Sequence, residues 1–94
     1  MLLEKPFKSE LKPCGGHGQR SAVYEVEIDP EHACTWYHGD LEIGTAQMSQ
    51  GKYQVRAYGK HRRLIVNNMR AVDFTSIAVE ARGQRLVRFL CDQS

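Results

Sequence analysis

The chain has 94 residues, 41% of them hydrophobic and 26% charged, with a formal net charge of +2. That is the length of one small domain with a single core, and too apolar for a disordered chain. Thirteen basic against eleven acidic residues leave no bulk charge that would call for nucleic acid or an anionic membrane.

Period-two alternation recurs along the chain, and Gly, Pro or Asn/Asp breaks arrive at short intervals. Pro6 to Leu11 is expected to be a first, edge-like strand anchored by Phe7 and Leu11, with Pro6 where no ladder donor is needed. Lys12 to Arg20, with Pro13, Gly15, Gly16 and Gly18, is expected to be loop. Ala22 to Ile28 alternates, with Ala22, Tyr24, Val26 and Ile28 on one face. Asp29-Pro30-Glu31 is a turn. Ala33 to His38 carries the single tryptophan, Trp36, with Cys34 on the same face. After a turn at Gly39-Asp40, Leu41 to Ile43 forms a short strand. Tyr53 to Tyr58 is a strand joined through Gly59-Lys60 to Arg63–Val66, and Asn67 to Val72 can form one helical turn. Phe74 to Ala81 is the next strand, Arg82-Gly83-Gln84 a tight hairpin, and Leu86 to Cys91 the last strand. Short strands at this spacing indicate an all-β sandwich or barrel.

These residues resemble an immunoglobulin domain of the intermediate (I) set, of the kind found in the giant muscle proteins (the titin, obscurin, twitchin and myosin-binding protein C type). Ala22-x-Tyr24-x-Val26-x-Ile28 resembles the second strand. Trp36-Tyr37 followed by Gly39-Asp40 resembles the Trp-Tyr-Lys-x-Gly stretch, and Leu64 to Asp73 resembles the fifth strand and the turn after it. The resemblance implies an all-β immunoglobulin-like sandwich spanning residues 6–92, with 1–5 a leader or linker and 93–94 a tail. It places Trp36, Val26, Val79, Leu64 and Asp73 in the structural core.

The chain departs from that pattern where the sheet-bridging cysteines would stand. Val26 and Val79 occupy those positions, and Ile77 stands where the tyrosine corner would be. A crosslink there would contribute about 2–5 kcal/mol, but it would rarely form in a reducing cytosol. The three cysteines, Cys14, Cys34 and Cys91, do not read as a secreted disulfide framework. The N-terminal residues lack the apolar core of a signal peptide, and no run is long enough to span a bilayer. A cytoplasmic location is therefore expected, and the resemblance implies the sarcomere or cytoskeleton. In the family, Asp73 would sit where a buried ion pair forms, with Arg56 or Lys52 as its partner.

Sites of other chemistry are poorly supported. Cys14-x-x-His17 has zinc-like spacing, but a structural zinc site needs four ligands, and Cys34 is expected in the core. None of the cysteines has a signature that pairs it with His17, His32, His38 or His61 for catalysis. No enzyme activity, cofactor or metal is expected. The segment Cys14 to Gly18 replaces a stretch that in the family pairs with the last strand. That strand should then keep part of an open edge. With Val87, Phe89 and Cys91 facing the core, Leu86, Arg88 and Leu90 become the candidate contact residues for strand addition by a partner. A second candidate is the basic patch Lys60, Arg62 and Arg63, suited to an acidic protein. The expected function is a non-enzymatic spacer and docking module of a larger intracellular protein, with other sarcomeric or cytoskeletal domains as partners. Nucleic acid, membrane and small-molecule substrates are not expected. An extracellular adhesion or receptor domain is the alternative, and a basic-patch nucleic-acid binder a weaker one.

Overall fold

The computed structural model describes residues 6–13, 21–29 and 32–90. Its strands are β1 (Lys12–Pro13), β2 (Ala22–Glu27), β3 (Thr35–His38), β4 (Leu41–Ile43), β5 (Tyr53–Tyr58), β6 (His61–Val66), β7 (Ser76–Ala81) and β8 (Gln84–Phe89). A one-turn helix, α1 (Thr45–Met48), lies between β4 and β5, and a 3-10 turn covers Ala71–Asp73. One four-stranded sheet runs β1-β2-β6-β5 and the other β4-β3-β7-β8. Their strand pairs are all antiparallel.

The alternation of β2 and β6 explains the first sheet. Tyr24 pairs with Leu64 and Ala22 with Val66, so one face of both strands is apolar and turns to the core. In the second sheet Trp36 pairs with Val79. Leu11, Tyr24, Val26, Trp36, Ile43, Tyr53, Leu64, Val66, Met69, Ile77 and Val79 form one buried cluster between the sheets. Val26, Leu64 and Val79 are 0% exposed and Trp36 2%. Two valines thus fill with apolar volume the positions a crosslink would occupy. Cys34 is a free thiol; Cys14 and Cys91 lie outside the described residues.

The structure departs from these expectations, or adds to them, at four places. Pro6 to Leu11 is not a strand: it makes only an isolated bridge, Phe7 to Ile28. Lys8 N donates to Glu27 O at 2.7 Å, but Glu27 N donates to the Ser9 hydroxyl at 2.9 Å, so a side chain replaces the next ladder bond. The pairing resumes at Lys12 and Pro13, inside the segment expected to be loop, opposite Glu25 and Tyr24. Second, the stretch between β4 and β5, for which no element was expected, holds α1, whose entry is closed by Gly44 N donating to Gln47 Oε1 at 2.9 Å. Third, the helical turn lies at Ala71–Asp73 rather than Asn67 to Val72, and Asp73 starts it by accepting from Arg70 N at 2.8 Å.

The fourth correction concerns β8. A three-residue hairpin Arg82–Gln84 would have put Val87 and Phe89 on the core side. The turn has two residues: Arg82 at φ +50 and Gly83 at φ +78, with Gln84 pairing Ala81. Positive φ at both central residues is the type I′ geometry that fits the twist of a hairpin. The resulting register sets Leu86 opposite Val79 and Val87 opposite Ala78. A one-residue shift turns the whole strand over. Leu86 and Leu90 pack on the core, while Val87 and Phe89 are 48% and 79% exposed.

Candidate functional site

The last strand is the edge of its sheet, paired among the described residues only with β7. The segment that in the family pairs along its other side, here Cys14 to Gly18, lies outside the described residues. Of the three candidate contact residues, Leu86 and Leu90 are half-buried against the core and do not face outward. Arg88 is exposed and lies on the core-side row opposite Ile77, with its Nη1 3.5 Å from the Leu11 carbonyl, to which it donates. It therefore bridges toward the first sheet. Val87 and Phe89 hold the outward positions instead. Beside them Arg85 stacks over the Tyr37 ring at 4.4 Å and pairs with Glu80 at 3.4 Å. The signal that would have found Val87 and Phe89 is the Arg82-Gly83 dipeptide, whose two-residue turn fixes the parity of everything after it.

The basic patch is divided by the sheet. Lys60 lies exposed in the turn between β5 and β6. Arg62 points along the core-side row opposite Val26, and its Nη1 donates to the carbonyls of Gly59 and His61 at 2.8 and 3.1 Å. Arg63 points to the outer face, where its Nε donates to Glu25 Oε2 at 2.6 Å. The Arg63 hydrogen bond and charge hold the Glu25 carboxyl below its ordinary value, against the opposing effect of burial. Arg56, absent from the expected patch, stands directly opposite Arg63. The hairpin count from Gly59-Lys60 carries that signal.

Asp73 is buried and paired with Lys52, not Arg56. Lys52 Nζ is 2.7 Å from Asp73 Oδ2 and also donates to the Asn68 carbonyl at 2.8 Å. Burial pushes the Asp73 carboxyl up, but the Lys52 hydrogen bond, the Arg70 amide and the Lys52 charge outweigh it. Its value therefore lies below normal. An open cleft of about 520 Å³ borders this pair, lined by Leu41, Gln47, Gln50, Tyr53, Asn68 and Arg70 among others. Burial raises the Cys34 thiol, with the Arg62 charge opposing, so Cys34 is not an activated nucleophile. No cluster of three or more His, Cys, Asp or Glu side chains suited to a metal exists among the described residues. Cys14 and His17 lie outside them. No helix among the described residues is long and apolar enough to cross a membrane.

Two four-stranded antiparallel sheets enclosing a strand-three tryptophan define an immunoglobulin-like β-sandwich. No protein-family model matches the sequence, and no curated protein matches it. Solved structures do. An IG27 protein domain superposes with a TM-score of 0.75 at 15% identity, covering 94% of this chain and 92% of that one. Domain I10 of titin gives 0.70 at 18% identity, over 89% of this chain and 92% of that one. A twitchin kinase fragment from C. elegans, which contains a protein kinase and immunoglobulin domains, gives 0.64 at 26% identity. There the match covers 85% of this chain but only 19% of the fragment. The fold is that of an immunoglobulin-like domain of the titin and twitchin type.

Proposed function

We propose that the chain is a non-enzymatic structural and docking module: one intermediate-set immunoglobulin domain, residues 6–92, of a larger intracellular sarcomeric or cytoskeletal protein. Residues 1–5 and 93–94 would then be linker. The observation that carries the docking role is the β8 edge, which presents Phe89 at 79% exposure beside Val87. A large aromatic exposed on an edge strand is the arrangement from which strand addition gains both backbone hydrogen bonds and side-chain contact. In this mode a partner strand pairs along β8, and Phe89 and Val87 set which strand is accepted. Titin and twitchin domains with this fold support the sarcomeric reading.

The test is capture of partners from muscle extract under reducing conditions by the wild-type chain, Phe89→Glu and Val72→Glu. Val72 is 70% exposed in the Ala71–Asp73 turn, so it controls for simple loss of surface apolarity. Loss of a captured protein with Phe89→Glu alone supports the reading. Equal capture by all three proteins rules out the β8 edge.

A further inference from the structure

The outer face of the other sheet carries an unbalanced row of charge. In register across the three strands lie Glu25 of β2, Arg63 of β6 and Arg56 of β5. Like charges directly opposite on neighbouring strands repel. Glu25 offsets one of the two positive charges through its 2.6 Å contact with Arg63. Arg56 is exposed and has no hydrogen-bond or ion-pair partner among the described residues. The Arg63 guanidinium also lies over the Tyr58 ring, 5.3 Å from its centroid, a cation–π contact.

Between these groups runs a groove of about 290 Å³, lined by Gln54, Arg56, Tyr58, Arg63, Ile65 and Asn67. Its chemistry is graded. The two guanidiniums and the phenol lie at one end. At the other, the exposed Gln54 offers its amide beside the half-buried Ile65, while the Asn67 amide donates to the Gly51 carbonyl at 3.0 Å and accepts from the Ser21 hydroxyl at 3.3 Å. Gln54, Arg56 and Tyr58 alternate along one face of β5, which is itself the edge of its sheet. An extended chain laid beside β5 repeats its side chains at the same spacing.

We propose that this groove is a docking site for an extended acidic peptide segment of a partner protein, with a Glu or Asp carboxylate taken by Arg56 and shared with Arg63. The carboxylate supplies the negative charge that the Arg56–Arg63 row lacks. Arginine suits the role because its planar fork accepts a carboxylate through two parallel hydrogen bonds. The amide of Gln54 meets a backbone group of the segment, and Ile65 takes an apolar side chain. The site lies on the sheet opposite β8 and does not depend on the β8 edge being a docking strand.

Amide shift mapping of the isotope-labelled chain tests the site, with a short acetylated and amidated peptide of alternating Glu and Thr as the probe. Shifts are expected at Gln54, Arg56, Tyr58, Arg63 and Ile65, growing with peptide and weakening with salt. Arg56→Gln, which removes an exposed side chain and should leave the spectrum of the fold intact, is expected to weaken binding about threefold to tenfold. Arg56→Lys should fall between the two, and Lys60→Gln should stay near wild type. Shifts centred outside the groove overturn the proposal. So does equal weakening by Arg56→Gln and Lys60→Gln, which is diffuse attraction rather than a site. Tighter binding of a single-stranded oligonucleotide at the same residues would also overturn it, in favour of a nucleic-acid partner.

Discussion

His38 Nδ1 lies 2.6 Å from the Tyr53 hydroxyl, and this contact joins the two sheets, since His38 is on β3 and Tyr53 on β5. His38 Nε2 is 2.7 Å from the Asp73 carbonyl. A carbonyl can only accept, so Nε2 carries the proton, and in the neutral ring Nδ1 accepts from the Tyr53 O–H. The rings meet edge to face, 5.6 Å apart at 75°, a favoured aromatic geometry. A sandwich that lacks both the sheet-bridging cysteines and the tyrosine corner is thus tied by a polar bridge at one end of its core.

Removing one side of that bridge leaves a buried polar atom without a partner. Tyr53→Phe is expected to cost about 1–3 kcal/mol, because His38 Nδ1 loses its donor while the ring volume stays. The urea midpoint of the variant is the measurement. A midpoint equal to wild type would mean that water replaces the hydroxyl and that the bridge contributes nothing.

The Asp73–Lys52 pair gives the fold an acid limit. Asp73 titrates below its ordinary value of 3.8 in the folded state. Its contribution is therefore fully present above the unfolded value and is lost as pH falls through the folded one. Glu25, also held below its ordinary value by Arg63, acts in the same direction. Stability should be level from neutral pH down toward the ordinary carboxylate values, then fall. Asp73→Asn should cost about 2–4 kcal/mol at neutral pH, discounted because both side chains of the pair keep some solvent contact. The same variant should flatten the acid limb. Denaturant midpoints of both proteins across the acid range decide this, and parallel curves would remove Asp73 from the account.

How much of this could be read from the residues depends on how locally each feature is encoded. The bounds of β5 at Tyr53 and Tyr58, and the burial of Trp36, Val26, Val79 and Leu64, follow from alternation and from one hairpin. Lys52 was one of two candidate partners for Asp73, because the aspartate's position was legible but the approach of the β5 entry was not. The His38–Tyr53 bridge was not legible, since it depends on how two sheets pack. Pairing at Lys12–Pro13 was hidden by proline and by the neighbouring glycines. The facing of β8 turns on a single residue: Gln84 pairs with Ala81, and counting it in the turn reverses every side chain after it.

That facing has a direct test. Leu86 packs on the core and Phe89 does not. Leu86→Lys should cost about 1.5–3 kcal/mol by exposing apolar area and burying part of an ammonium stem. Phe89→Lys should stay within about 0.5 kcal/mol of wild type. The reverse order in urea denaturation would place the strand the other way over.

The two valines at the crosslink positions allow a final test of the core's geometry. Val26 and Val79 are both 0% exposed and belong to the same cluster, on facing sheets. A double variant, Val26→Cys with Val79→Cys, keeps similar apolar volume, so the reduced protein should lose less than about 1.5 kcal/mol. Oxidised, it should gain about 2–4 kcal/mol relative to its own reduced form, because the bond restricts the unfolded chain. Cys34 must be replaced by Ser in the same background, and Cys14 and Cys91 as well, so that one pair of thiols remains. Non-reducing mass analysis reports the bond, and denaturation with and without reductant reports its effect. A thiol pair that stays reduced in the folded, oxidised sample would show that the two β-carbons stand too far apart to be bridged, and that this core has drifted from the spacing a crosslinked immunoglobulin domain requires.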